Sequence, residues 1–189
     1  MSDWTTIRAK AIYDNPWVKI SHREVKTPND TDAIYGKVHF KNLAVGIIPV
    51  LKDGRLVLVG QKRYTLNEYA WEIPEGGCLL GDDPLRAAQR ELLEETGWQA
   101  NFWKQAMLLH TSNSVTDERA IIYLATEMEA QEAQPEHTEK IDLQYATIEH
   151  CIKMIGKGEI SDAMSVSSIL WYAQKGHKQI KDDLQVVEK

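Results

Sequence analysis

The stretch Gly76-Gly77-Cys78-Leu79-Leu80-Gly81-Asp82-Asp83-Pro84-Leu85-Arg86-Ala87-Ala88-Gln89-Arg90-Glu91-Leu92-Leu93-Glu94-Glu95-Thr96-Gly97-Trp98 decides how the chain is read. Asp83 offers a side-chain acceptor at an N-cap, and Pro84 brings the fixed φ that suits a first turn. Leu85 to Gln89 are good helix formers, and Gly97 is a C′ stop. The stretch therefore predicts a loop and then a helix of about three to four turns. Glu91, Glu94 and Glu95 fall at i, i+3 and i+4, on one face, where each like-charge pair costs roughly 0.2–0.5 kcal/mol. They also sit at the end of the helix where the macrodipole disfavours anions. Leu85, Ala88, Leu92 and Trp98 remain as a packing face. Two readings of the acidic face are open. It is either a solvated surface, with Arg90 pairing Glu94 one turn on, or a set of hard oxygen ligands for divalent cations.

Composition narrows the class. The 189 residues suffice for one domain, or one domain and a small appendage. A net charge of −6 and no basic stripe argue against a general nucleic-acid binder. Cys78 and Cys151 make neither a disulfide framework nor a zinc spacing. They read as reduced thiols, so a cytoplasmic protein is expected. No apolar run is long enough for a membrane span, and Met1 to Lys10 hold no apolar signal core. The six histidines are scattered without ligand spacing.

Outward from the helix, the pattern predicts mixed strands. Trp17 to Ser21 alternate as a half-buried strand, and Ala33 to Phe40 return from the turn at residues 28–32. This N-terminal unit, residues 1–42, is expected to be a small antiparallel sheet, too small to stand alone. Leu43 to Leu51 is a buried apolar strand. Lys52-Asp53-Gly54-Arg55 predicts a hairpin turn to its partner, Leu56 to Tyr64. Trp71 to Gly77 is expected as one short strand feeding the loop. Further strands are expected at residues 100–109, 120–125 and 143–146. Residues 128–140 read as a polar loop. Helices are expected at residues 148–155 and 163–174, with a frayed helix after residue 175.

Residues 76–98 resemble the Nudix box. Gly76, Arg90, Glu91, Leu92, Glu94, Glu95, Gly97 and Trp98 stand on its fixed positions, and Asp82 departs where the box has Glu. The resemblance implies an α/β fold, a Nudix-type α/β/α sandwich with a mixed sheet over residues 43–189. It implies hydrolysis of a nucleoside diphosphate linked to another group, with Mg2+ (or Mn2+ in its place) as cofactor. Glu91 and Glu95 would be the principal ligands, with Glu94 beside them. The backbone carbonyl of Glu75 would be a further ligand, and Arg90 would orient the cluster.

Flanking segments are similar to the ADP-ribose and nucleoside-diphosphate-sugar pyrophosphatase subgroup. These are the Asn15-Pro16-Trp17 turn, Gln61-Lys62-Arg63-Tyr64, and Glu136-His137-Thr138-Glu139. They imply substrate contacts from Arg63, Glu72 and Tyr35, a further metal ligand at Glu139, and a general base at Glu136 or His137. Glu94 is the next candidate base. Outside the family, Arg63 also reads as a surface arginine and Tyr35 as a sheet tyrosine. Asn113 stands where the subgroup has proline, which leaves nucleotide sugars other than ADP-ribose open. The resemblance also implies a homodimer joined through residues 1–42, a small-molecule substrate, and neither nucleic acid nor membrane as partner. Two alternatives stand beside it: a triphosphate or dinucleoside polyphosphate pyrophosphatase, and a nucleotide-sensing module without catalysis.

Overall fold

A computed structural model describes the backbone of residues 3–131 and 140–185, and side chains as far as residue 175. The centre is a four-stranded mixed sheet. Its order is β7 (Glu75–Leu79), β4 (Asn42–Pro49), β9 (Arg119–Ala130), β8 (Trp98–His110). Strand β4 runs parallel to β9 and antiparallel to β7. Period-two alternation sends successive side chains to opposite faces. Val45, Ile47, Tyr123 and Ala125 pack with Ala88 and Leu92 of helix α1 (Pro84–Thr96). Ile48, Ile122 and Leu124 point the other way. There they meet a second sheet, β10 (Asp142–Ala146), β5 (Leu56–Arg63), β6 (Glu68–Glu72), together with α2 (Ile148–Gly156) and α3 (Ala163–Gln185). The result is the expected α/β sandwich. A strand buried on both faces reads as a continuous apolar run because neither face tolerates a polar side chain. Each fully buried Ile or Leu contributes roughly 1.5–3 kcal/mol.

Three expectations are corrected. The Asp53-Gly54 turn forms, with Gly54 at φ 86° and Arg55 O accepting from Leu51 N–H at 2.9 Å. However, it does not close a hairpin. Strands β4 and β5 lie in different sheets and share only the Val50–Leu56 bridge. Strand β4 pairs with β7 over Asn42 to Gly46 and with β9 over Ala44 to Pro49, and Pro49 has no N–H to offer a β5 ladder.

Second, Trp71 to Gly77 is not one strand. It divides at Pro74, which has no N–H to give a ladder. Strand β6 pairs with β5, and β7 crosses to pair with β4. Pro74 O accepts from Ile47 N–H at 2.9 Å, which pins the crossing.

Third, the N-terminal sheet has three strands: β1 (Thr5–Asp14), β2 (Val18–Lys26) and β3 (Asp32–Phe40). Strand β1 alternates over Ile7-Arg8-Ala9-Lys10-Ala11 yet is exposed along its whole length, and its ladder with β2 holds it. Strand β9 also runs through residues 128–130, which the polarity of that segment had assigned to the loop.

The N-terminal sheet is held to the sandwich by the β8–β9 loop. Val38 N–H donates to Val115 O at 2.9 Å, and Asp117 N–H donates to Val38 O at 3.2 Å. The Asp117 carboxylate accepts from Phe40 N–H at 3.0 Å, and it pairs with Lys37 and His39 at 2.7 Å each. Tyr35 donates its hydroxyl to Ser114 O.

Candidate active site

Helix α1 begins and ends as its sequence dictates. The Asp83 side chain accepts from Leu85 N–H at 3.0 Å. Gly97 sits at φ 69° and closes on Leu93 O at 2.9 Å. Ala87, Ala88 and Leu92 are buried against the sheet, which fixes the rotation of the helix and aims its carboxylates at β7. Glu91 then lies directly on Gly76. A Cβ at residue 76 would collide with the Glu91 carboxyl group, so only glycine leaves room for it. Glu95 is buried and accepts from Glu75 N–H at 3.1 Å. Arg90 donates to Glu94 and Glu91 at 2.6 Å each and to Gly77 O at 3.3 Å, which ties the helix to β7.

Across the crossing segment, Arg63 at the end of β5 reaches both halves of the divided strand. It donates to Glu72 at 2.6 to 3.1 Å and to Glu75 at 2.5 Å. Burial alone would lower the Arg63 pKa. The Glu72 hydrogen bonds and the charges of Glu75, Glu72 and Glu95 outweigh it and raise it. Glu75 is in the opposite situation. Burial pushes its carboxyl well above the usual range, Asp162 and Glu72 push it further, and Arg63 opposes them. Its Oε2 is buried and has no hydrogen-bond partner among the described residues.

Glu75 and Arg63 open into a cavity of about 410 Å³. Trp17 and Phe40 of the N-terminal region form one wall, and Asn42 to Ala44 and Gly76-Gly77 form the floor. Thr111, Glu118 and the start of α3 at Asp162 to Met164 complete it. Of the residues singled out in the sequence, Arg63 and Glu75 face this space. Glu91 and Glu95 stand one backbone layer behind it, against Gly76 and Glu75. Glu72 is buried beneath Arg63 and does not line the cavity, and Tyr35 sits apart at the β8–β9 loop. Glu136, His137 and Glu139 lie outside the described residues.

Sequence reading missed Asp162, Ser165, Thr111 and Glu118. Asp162 caps α3 by accepting from Ser165 N–H at 2.7 Å. Its second effect, on Glu75, exists because the start of α3 and the start of β7 line the same cavity. Ser165, buried on α3, accepts from Ile73 N–H at 3.0 Å and so holds the crossing segment. Thr111 donates to Glu118 across the mouth of the β8–β9 loop.

The donor set is suited to a hard divalent cation. Glu72, Glu75, Glu91 and Glu95 offer carboxylate oxygens, and Glu75 Oε2 is buried and unpartnered among the described residues. Among the described residues, no three acidic, His or Cys side chains already converge on one point. Arg63 pairs with Glu72 and Glu75, and Arg90 with Glu91 and Glu94.

Known proteins agree with this architecture. A solved structure of an ADP compounds hydrolase superposes with a TM-score of 0.80 at 19% identity, over 89% of this chain and 91% of that one. The ADP-ribose pyrophosphatase of Bacillus subtilis (strain 168) is 28% identical over 187 residues, 95% of each chain. That of Mycobacterium tuberculosis (strain ATCC 25618 / H37Rv) is 28% identical over 172 residues, 89% of this chain and 82% of its own. The family model described as NUDIX domain matches residues 40–180, three quarters of the chain, and the chain belongs to that family.

Proposed function

We propose that this Nudix pyrophosphohydrolase cleaves the diphosphate of ADP-ribose or a related nucleoside diphosphate sugar, releasing a nucleoside monophosphate and a sugar phosphate. The observation that carries this reading is the placement of Glu75. A carboxylate whose Oε2 is buried and has no partner among the described residues stands between Arg63 and the α1 glutamates, at a cavity large enough for a nucleotide fragment. The similarity to two ADP-ribose pyrophosphatases supports the substrate class.

In this reading Glu91, Glu95 and the backbone carbonyl of Glu75 would hold Mg2+, or Mn2+ in its place, with Glu139 as a further ligand. A divalent cation held there would supply charge neutralisation to the diphosphate. The chain's own residues do the rest. Glu95 fixes the Glu75 backbone through its N–H. Arg90 sets the directions of Glu91 and Glu94. Arg63, one-third exposed at the cavity, offers a planar donor to a phosphate oxygen. Glu136 takes the proton of the attacking water, and Glu94 is the alternative base.

Residues 1–42 dimerise the protein in this reading. Every residue of β1 is exposed, and Trp4, Ile7, Ile12 and Ile34 are each more than half exposed. A second copy is the surface that would cover them. Buried thiols at Cys78 and Cys151 agree with work in the cytoplasm.

The test is a phosphate-release screen over nucleoside diphosphate sugars, triphosphates and dinucleotides, with Mg2+ and with chelator. Turnover confined to nucleoside diphosphate sugars is expected. Turnover confined to triphosphates or dinucleoside polyphosphates would replace this reading, and binding without turnover would make the chain a sensor.

A further inference from the structure

Phe40, Asn42 and Leu43 line two cavities, not one. On their far side lies a second chamber of about 400 Å³. Gly77 has no side chain on this boundary, and the Asn42 amide nitrogen stands 3.2 Å from where a Cβ of residue 77 would be. The far chamber therefore adjoins the floor on which the diphosphate would lie.

Its chemistry differs from that of the first. The first cavity is walled by the acids Glu75, Glu118 and Asp162 with the single arginine Arg63. The second has one acid, Asp117, which is already committed to Lys37, His39 and Phe40 N–H. Opposite it, His110 and Arg119 occupy paired positions at the ends of β8 and β9. Both residues are exposed, neither side chain makes a hydrogen bond or an ion pair among the described residues, and both line the chamber with Asn113. Among the described residues this guanidinium, imidazole and amide have no protein acceptor, and they line one chamber. Such a donor set matches a phosphate, whose oxygens accept in parallel.

We propose that the second chamber is a subsite for a phosphate carried on the distal sugar, so that the preferred substrates are nucleoside diphosphate sugars phosphorylated on that sugar. Arg119 is the residue that sets this preference. The inference rests on the function proposed above and refines its substrate. Asn113, where the chain departs from the subgroup pattern, contributes a donor that proline lacks.

The test compares kcat/KM of the full chain with Mg2+ for ADP-ribose and for ADP-ribose 1″-phosphate. A preference for the phosphorylated compound of about tenfold, seen in KM, is expected; that is about 1.4 kcal/mol. Arg119→Gln is expected to bring the ratio to about one, and Arg119→Lys to restore part of it. A merely structural role for Arg119 would change both substrates together and leave the ratio where it was, which would overturn the subsite. Equal kcat/KM for the two compounds in the unaltered protein would overturn it as well, while leaving ADP-ribose hydrolysis intact. Absence of turnover with both would overturn the function and the subsite together.

Discussion

The carboxylate of Glu95 accepts the backbone N–H of Glu75 at 3.1 Å. This bond joins the last turn of α1 to the first residue of β7, twenty positions earlier. It makes Glu95 both an anchor for the crossing segment and a buried negative charge. The two roles separate in Glu95→Gln, whose amide oxygen still accepts from Glu75 N–H. We expect kcat to fall by a factor of about a hundred or more, because the charge is lost. The melting temperature should stay within a few degrees, since like-charge repulsion on the helix is relieved. Steady-state kinetics at saturating Mg2+ and a thermal scan decide. Unchanged kcat removes Glu95 from catalysis.

Gly76→Ala probes the contact with Glu91. The added methyl meets the far end of a flexible side chain, so the fold should survive with a loss of about 1 kcal/mol. Glu91 must swing away, and activity is expected to drop on the order of tenfold or more, with a higher Mg2+ requirement. A Mg2+ titration of kcat that matches the unaltered protein would show that the position of Glu91 does not matter.

Arg63→Gln leaves Glu72 buried without its three charged hydrogen bonds from Arg63. Breaking a buried pair costs about 3–5 kcal/mol. One-third exposure of Arg63 reduces this to about 2–3 kcal/mol. Adding Glu72→Gln should recover most of that loss while activity stays low. Denaturant melts of the two single variants and the double variant form the cycle. Additive losses would mean that the pair is not coupled.

Asp117 makes the attachment of the N-terminal sheet sensitive to acid. Its partial burial would raise its pKa, but Lys37, His39 and Phe40 N–H outweigh that and lower it well below the usual range. A depressed folded-state value means stability that is complete above the ordinary carboxylate value of about 3.8 and is lost as the pH falls below it. Hydrogen exchange at Val38 and Phe40 should therefore accelerate as the pH drops from about 4, after correction for intrinsic rates. In Asp117→Asn it should already be fast at pH 7. Protection at these amides that ignores both changes would show that the clasp lies elsewhere.

The dimer expectation is direct. Light scattering at micromolar concentration should give about twice the 21.6 kDa chain mass. Ile34→Asp, on the exposed β3, should shift the protein towards monomer. A monomer with full activity would refute the role given to residues 1–42.

Local chemistry alone determined helix α1. Asp83, Pro84 and Gly97 carry its ends in their own side chains and φ preferences, and the i, i+3, i+4 spacing put three carboxylates on one face. The buried strands were legible as apolar runs, because burial on both faces leaves no polar position. Partner choice was not. The Asp53-Gly54 turn has the same local chemistry whether or not its flanking strands pair. The pairing of β4 with β7 and β9, and Pro49 at its end, decided that they do not. Strand β1 alternates over Ile7 to Ala11 but buries neither face, so its order comes from hydrogen bonds to β2. The buried charge at Glu75 likewise belongs to no motif. It arises because Pro74 sends the chain from one sheet to the other, while α3 sets Asp162 near it and β5 sets Arg63 against it. Electrostatic fields sum over residues that are distant in sequence, so only the packed structure assembles them.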